Sequence, residues 1–151
     1  MNVVQFMEQI VSKSVEATGQ AKLLGQLRDL QDIWKGVQFT TKNYKEKDNQ
    51  FILVDIDTLY QYLDEGLAQI NMILGNRFVK VMRKEAEVVK KELNTLDEAV
   101  KQWVEVQRQW CYLENIFAGG TIKQYLPEAA KLFDSVNKFY TQLTQKANRN
   151  P

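Results

Sequence analysis

Met82, Ala86, Val89, Leu93, Leu96, Val100, Trp103, Gln107 and Trp110 follow one another by alternating steps of four and three. Nothing else constrains the fold as tightly, because residues at that interval line one side of an α-helix and demand a partner along its length. The chain has two prolines, Pro127 and Pro151, so nothing interrupts a long helix over about 77–116. A helix of roughly forty residues spans on the order of 60 Å, whereas a compact domain of this length has a radius of gyration of about 15 Å. The expectation is a mainly α fold, an elongated multi-helix bundle. Phe78, Val88, Val104, Val106 and Leu113 lie off the seam and widen the stripe, favouring a bundle, with a coiled-coil dimer left open.

The remainder supplies elements to pack against that helix. From Val3 to Trp34, apolar residues at Phe6, Ile10, Val15, Leu23, Leu27, Leu30 and Trp34 predict one amphipathic helix or two, weakest around Gly19 and Gly25. Val37, Phe39, Thr40, Thr41 and Tyr44 are β-formers, residues 45–49 a polar turn, and residues 51–54 β-formers again, so a small hairpin is predicted over about 37–54. A lone hairpin is marginal and must lie on neighbouring helices. Asp55 or Asp57 then caps a helix that buries Leu59, Leu63, Leu67, Ile70, Ile73 and Leu74 and closes at Gly75 and Asn76. After Gly119 and Gly120, Thr121 caps a short turn through Leu126, and Pro127 opens a last helix whose inward face is Ala130, Phe133, Val136, Tyr140 and Leu143. Residues 148–151 should fray, and so abrupt an end fits a piece of a larger protein.

Composition removes most chemistry. The 151 residues hold 20 Lys and Arg against 19 Asp and Glu, a net charge of +1, which gives no electrostatic case for nucleic acid or an anionic membrane. Basic runs such as Arg83, Lys84 and Lys90, Lys91 are interleaved with Glu85, Glu87 and Glu92, the pattern of a solvated helix face. Histidine is absent, so the usual general base and the commonest metal ligand are both missing. Cys111 is the single cysteine and has no imidazole to activate it; in an apolar stripe it reads as a small buried hydrophobe. No apolar run reaches the roughly 18 residues of a membrane span, and the first ten residues, with Glu8 among them, lack a basic leader, so a soluble intracellular protein without a signal peptide is expected.

Gly119, Gly120 and Thr121 lack the further glycines and lysine of a phosphate loop. Asp55 and Asp57, and Asp64 and Glu65, have neither calcium-loop nor paired-acid spacing. Trp103, Arg108, Trp110 and Tyr112 could stack on bases, but Trp103 and Trp110 share the seam and packing explains them better. Arg108 and Glu114, at the shoulder of the stripe, can pair across a bundle or face a partner. No catalytic, cofactor-binding or metal-binding residues emerge.

Trp103, Gln107, Arg108, Trp110, Tyr112, Leu113, Glu114, Ile116 and Phe117 together resemble the signature helix of the dynein heavy chain, where the tail joins the motor and the linker begins. Leu30, Trp34, Phe39, Ile52, Asp57, Leu59 and Leu63 upstream are similar to that family's helix, hairpin and helix, with Phe78 and Val81 opening the long helix. Ile122, Leu126, Pro127, Glu128, Phe133 and Val136 resemble its next helix. Thr121, Asn137 and Phe139 depart from the acidic residue, aspartate and tryptophan common there. Residues 33–44 are slightly more similar to the cytoplasmic type. Residues 1–25 are the least diagnostic.

The resemblance implies a single helical segment over 1–151, the early part of the lever arm that transmits force between the AAA+ ring and the tail of a microtubule motor. It implies packing roles for Trp103, Gln107, Arg108, Trp110, Tyr112, Leu113, Glu114, Ile116, Phe117, Leu126 and Pro127. The implied partners are the rest of the heavy chain, ring and tail, and subunits of the dynein complex, with neither nucleic acid nor membrane. The implied setting is the cytoplasm and its microtubules or axoneme. The piece itself would be no enzyme and need no cofactor, since nucleotide sites lie beyond it. The rival is an independent helical adaptor or coiled-coil scaffold; the match at Arg108, Tyr112, Glu114, Pro127 and Glu128, which a heptad does not dictate, speaks against it.

Overall fold

The computed structural model describes residues 3–151; Met1 and Asn2, the start of the stretch read as lacking a leader, lie outside the described residues. The elements run α1 (Val3–Gly36), β1 (Thr41–Asn43), β2 (Phe51–Leu53), α2 (Ile56–Gly75), α3 (Arg83–Ala118), α4 (Gly120–Tyr125) and α5 (Pro127–Arg149). Single 3₁₀ turns at Tyr44–Glu46 and Val79–Val81 separate β1 from β2 and α2 from α3. Mainly helical structure with a long helix and one antiparallel hairpin is what the periodicity predicts.

The chain packs as two compact units. The first takes the described residues up to Val37 together with Gln61–Leu96. Its core joins Leu23, Leu27 and Leu30 of α1, Ile70 and Ile73 of α2, Val79 and Met82 of the connection, and Ala86, Val89 and Leu93 of α3. Each fully buried aliphatic side chain of this kind contributes about 1.5–3 kcal/mol. α1 is one unbroken helix of 34 residues, not two. Gly19 permits it locally: a Cβ there would overlap the ring of Phe78, so the glycine lets that ring close onto the helix. Gly66 does the same for Trp34, whose Nε1 would stand 2.7 Å from an added Cβ.

Phe6, Ile10 and Val15, expected on the same face as the leucines, are exposed. At 100° per residue the apolar stripe of Val3, Met7, Ile10 and Val11 falls on roughly the opposite side of α1 from Leu23, Leu27 and Leu30. The buried face of the helix is thus confined to its second half.

α3 begins at Arg83 and not near Arg77, as expected from the sequence. Asn76 is responsible. Its Oδ1 accepts the Phe78 N–H at 3.0 Å and its carbonyl accepts the Val79 N–H at 3.1 Å, while Met82 N–H donates to the Val79 carbonyl at 3.0 Å. An asparagine side chain that satisfies the backbone two residues on favours a turn over continued helix. Val79 and Met82 point inward from that turn.

The second unit takes Gln38–Tyr60 and the chain from Asp97 onward. Its hairpin pairs Thr41 with Leu53, Lys42 with Ile52 and Asn43 with Phe51. It is shorter than expected, because Val37 to Phe39 stay outside the ladder; the Phe39 ring lies 5.5 Å from that of Trp103. Lys45 (φ 50°) and Glu46 (φ 59°) take the left-handed conformation at the tip. Asp55 precedes α2 and accepts the Thr58 hydroxyl at 2.7 Å. Within α2, Leu59, Leu63, Ile70 and Ile73 are buried, Leu67 and Leu74 half-buried.

The α3 seam is buried at Met82, Ala86, Val89, Leu93, Val100, Gln107 and Trp110 and half-buried at Leu96 and Trp103. It runs two members further than the apolar pattern suggests, to Glu114 and Phe117, both buried. Of the side chains expected to widen it, Val88 and Val106 are exposed. Gly119, not Thr121, holds the N-cap position of α4, and Pro127 opens α5. The inward face of α5 is Ala130, Phe133, Tyr140 and Thr144 with Asn137 half-buried, whereas Val136 and Leu143 are exposed. Asn148 is not frayed: it lies within α5 and accepts the Thr41 hydroxyl at 2.7 Å.

Candidate functional site

Heptad spacing delivers Gln107, Trp110, Glu114 and Phe117 to one side of α3, where they meet the hairpin and α5. Trp110 is 1% exposed and is the largest fully buried side chain. Its indole stacks on Tyr140, centroids 4.4 Å apart and planes 20° apart, and takes Tyr44 edge-on at 4.9 Å. Its Nε1 donates to Asn137 Oδ1 at 3.1 Å, an oxygen that also accepts Gln50 Nε2 at 3.2 Å. Asn137 of α5 is therefore the acceptor that satisfies the buried indole. Aromatic pairs in such geometries add about 0.5–1.5 kcal/mol beyond their burial. Phe117 and Phe133 stack at 5.0 Å, two helical turns from Trp110 and Tyr140 along α3 and α5.

Gln107 is a polar residue on an apolar seam, and both ends of its carboxamide are hydrogen-bonded. Oε1 accepts the Leu53 N–H at 2.7 Å and the Tyr140 hydroxyl at 3.1 Å, while Nε2 donates to the Leu53 carbonyl at 2.9 Å. The side chain thus stands in for a third strand beside β2 and fixes the hairpin to α3. Gln145 Nε2 donates to the Asn49 carbonyl at 3.0 Å and holds the turn from α5.

Glu114 is 5% exposed and accepts two ammonium groups from the hairpin tip, Lys45 Nζ at 2.6 Å and Lys47 Nζ at 2.8 Å. Burial pushes its carboxyl upward, but the hydrogen bonds from Lys45 and Lys47 outweigh it and hold the group below its ordinary value. The Lys45 ammonium is correspondingly held above its own, chiefly by its hydrogen bond to Glu114.

The neighbouring titratable groups are suppressed, not activated. Burial pushes the Tyr140 phenol far up, the Tyr44 phenol up and the half-buried Cys111 thiol up. A thiol held in its protonated form is a poor nucleophile. Two buried atoms, Gln50 Oε1 and Trp103 Nε1, lack a well-oriented hydrogen-bond partner; Trp103 does lie close enough to the Tyr140 hydroxyl to favour its phenolate against the stronger effect of burial. Among the described residues no three His, Cys, Asp or Glu side chains converge as for a metal ion, and no helix is long and apolar enough to cross a membrane.

The structure therefore brings Gln107, Trp110, Glu114 and Phe117 together in the interior, with Trp103, Leu113 and Ile116 half-buried around them. Arg108, Tyr112, Leu126 and Pro127, given packing roles from the resemblance, are exposed. Arg108 instead holds Glu105 on its own helix at 2.7 and 2.9 Å. Tyr44, Asn137 and Tyr140 complete the cluster; of these the sequence pointed inward only Tyr140.

A cluster of this kind, built from stacked rings, hydrogen-bonded amides and a carboxylate paired with two lysines, defines a helical packing module. The chain belongs to the dynein heavy chain family: the model described as "Dynein heavy chain, N-terminal region 2" matches residues 1–151. The chain is 28% identical to human dynein axonemal heavy chain 6 over its whole length, which is 4% of that protein. It is 30% identical to human dynein axonemal heavy chain 10 over 96% of this chain and 3% of that one. It is 24% identical to the Chlamydomonas reinhardtii dynein-1-alpha heavy chain of the flagellar inner arm I1 complex over 99% of this chain and 3% of that one. The chain thus spans a few hundredths of the length of these relatives. They carry axonemal or flagellar names, against the slight leaning of residues 33–44 toward the cytoplasmic type. The segment is an N-terminal region of a dynein heavy chain.

Proposed function

We propose that residues 1–151 form one helical segment at the start of the linker of a dynein heavy chain, the arm that transmits force between the ATPase ring and the tail. One observation carries this reading: α3 is continuous for 36 residues, and its seam is buried or half-buried from Met82 to Phe117. A lever is useful only if it resists bending, and a helix braced along its seam does so better than a lone helix. The Gln107 and Glu114 contacts add directional ties to that bracing. The axonemal and flagellar names of the relatives support a microtubule motor of a cilium or flagellum, with the remaining heavy chain and the subunits of its complex as partners.

The rival, an independent adaptor or coiled-coil scaffold, needs a seam open to a second chain. Here the seam is filled by the chain's own side chains, which favours the linker reading.

The test softens the lever without disturbing its packing. Asn94 and Thr95 are exposed on α3, and replacing both by glycine costs about 0.3 kcal/mol each in helix propensity and frees the backbone at two successive positions. In the intact motor, microtubule gliding should slow while ATP turnover persists. Gliding and turnover both at the unaltered level would end the lever reading.

A further inference from the structure

The turn between α2 and α3 carries an unbalanced charge. From Gly66 to Lys84 the chain has no acidic residue and four basic ones, Arg77, Lys80, Arg83 and Lys84, and all four are exposed. Val79 and Met82 are the buried side chains of the turn, which leaves the cations on its outer side. The Arg77 guanidinium lies over the Phe78 ring, 4.5 Å from its centre, and that ring closes onto α1 at Gly19. The acids that follow in sequence do not neutralise the group. Glu85 accepts Gln31 Nε2 from α1 at 3.2 Å, and Glu87 reaches Arg83 only at 3.8 Å. Among the described residues Arg77, Lys80 and Lys84 are in no ion pair. Helix stability does not explain the cluster either, since Arg83 and Lys84 open α3, the end at which the helix dipole disfavours cations.

We propose that residues 77–84 are a docking point for an acidic polypeptide segment, whose carboxylates are received by Arg77, Lys80, Arg83 and Lys84 around the exposed side chain of Val81. Without these four cations a chain of net charge +1 is left with −3, so the attraction is local. An extended polyanion such as a nucleic acid, or an anionic membrane, meets the acidic remainder as well, whereas a short acidic segment meets the patch alone. Val81, 76% exposed, gives that segment an apolar contact between the charges.

Length and chemistry agree with this occupant. Eight residues of 3₁₀ turn and first helical turn cover at most about 14 Å, the reach of roughly four residues of extended peptide. Arg77 and Arg83 suit carboxylates in particular, because the guanidinium fork can take both oxygens. Exposed contacts of this sort are screened by salt and add specificity and encounter rate more than affinity, as a reversible contact requires. The inference rests on the surface of the first unit and not on the lever reading.

Fluorescence anisotropy of a labelled short polyglutamate peptide, titrated with the 151-residue chain at low ionic strength and again at about 0.15 M salt, tests it. Binding should weaken as salt rises. Lys80→Gln, Arg83→Gln and Lys84→Gln together should weaken it about fivefold or more. Lys131→Gln, Lys138→Gln and Lys146→Gln together remove the same charge from exposed positions of α5 and should leave it unchanged. Circular dichroism checks that both variants are folded. No binding by the parent overturns the proposal. An equal loss in the two triple variants overturns it too, because net charge alone would then account for the attraction. Tighter binding of a single-stranded DNA oligonucleotide or of phosphatidylserine vesicles than of polyglutamate assigns the patch to another class of partner and overturns it as well. None of these readouts depends on motor activity, so a failed lever and a failed docking point give different results.

Discussion

Gln107 pairs its entire carboxamide with the backbone of Leu53, taking the N–H at 2.7 Å and giving to the carbonyl at 2.9 Å. A strand edge is normally closed by another strand; here a helix side chain closes it at Leu53. Two short strands that would be marginal alone are thereby made part of a helical core.

Gln107→Met keeps the length of the side chain and removes every hydrogen bond. The Leu53 N–H and carbonyl and the Tyr140 hydroxyl then lose their shared partner, and buried unsatisfied groups cost about 1–3 kcal/mol apiece when relaxation is incomplete. A loss of roughly 2–4 kcal/mol is expected in urea unfolding. A midpoint within experimental error of the parent would show that the hairpin is held by other contacts.

Trp110→Ala should be the costliest change in the second unit, about 3–5 kcal/mol, because it empties the space between Tyr44 and Tyr140 and removes one of the two hydrogen bonds to Asn137 Oδ1. Trp110→Phe separates the terms. It retains a ring for stacking but gives up the bond to Asn137 Oδ1, so about 1–2 kcal/mol should be lost, within the range for one buried hydrogen bond and some volume. Thermal unfolding followed by circular dichroism ranks the pair. Equal losses for both would mean that the indole N–H, not the packing, carries the site.

Acid should act through Glu114. Its folded-state carboxyl titrates below the ordinary 4.5, so it contributes stability that is fully present above that value and is lost as pH falls through the lower folded value. Lys45 works in the opposite direction: its ammonium is held above the ordinary 10.5, so its contribution is complete below that pH and fades as pH rises through the folded value. Unfolding midpoints of the parent and Glu114→Gln should differ at pH 7 and converge toward pH 3. Parallel curves over that range would remove Glu114 from the account.

Much of this was legible in the sequence, and what was hidden shares one physical cause. Hydropathy locates α3 and its seam because Met82, Val89, Leu93, Val100 and Trp110 are buried for the reason that makes them apolar. It misses Glu114, Asn137 and Thr144, whose burial depends on partners: Lys45 and Lys47 arrive from a turn 69 and 67 residues away, and Asn137 accepts the Trp110 indole N–H. It misplaces Val136 and Leu143 inward on α5 for the converse reason, since apolar character says that a side chain seeks cover and not whether this segment provides it. The start of α3 was hidden because the Asn76 turn is a local side-chain contact that periodicity does not register.

Glycines in the first unit permit a sign test. At Gly25 a Cβ would meet nothing within 4 Å, so Gly25→Ala replaces the most flexible residue of a helix interior at no steric cost and should raise stability by about 0.5–1 kcal/mol. At Gly66 the added Cβ would lie 2.7 Å from Trp34 Nε1 and 3.1 Å from two further indole atoms. The propensity gain is the same, yet the Trp34 ring must move from its seat against the α1 and α2 core, and overpacking of this kind costs about 1–3 kcal/mol. Gly66→Ala should therefore destabilise and Gly25→Ala stabilise, although both lie within helices. Thermal midpoints of the two variants decide it: a rise in both would mean that Trp34 has room to yield, and the close approach at Gly66 would then hold no part of the first unit together.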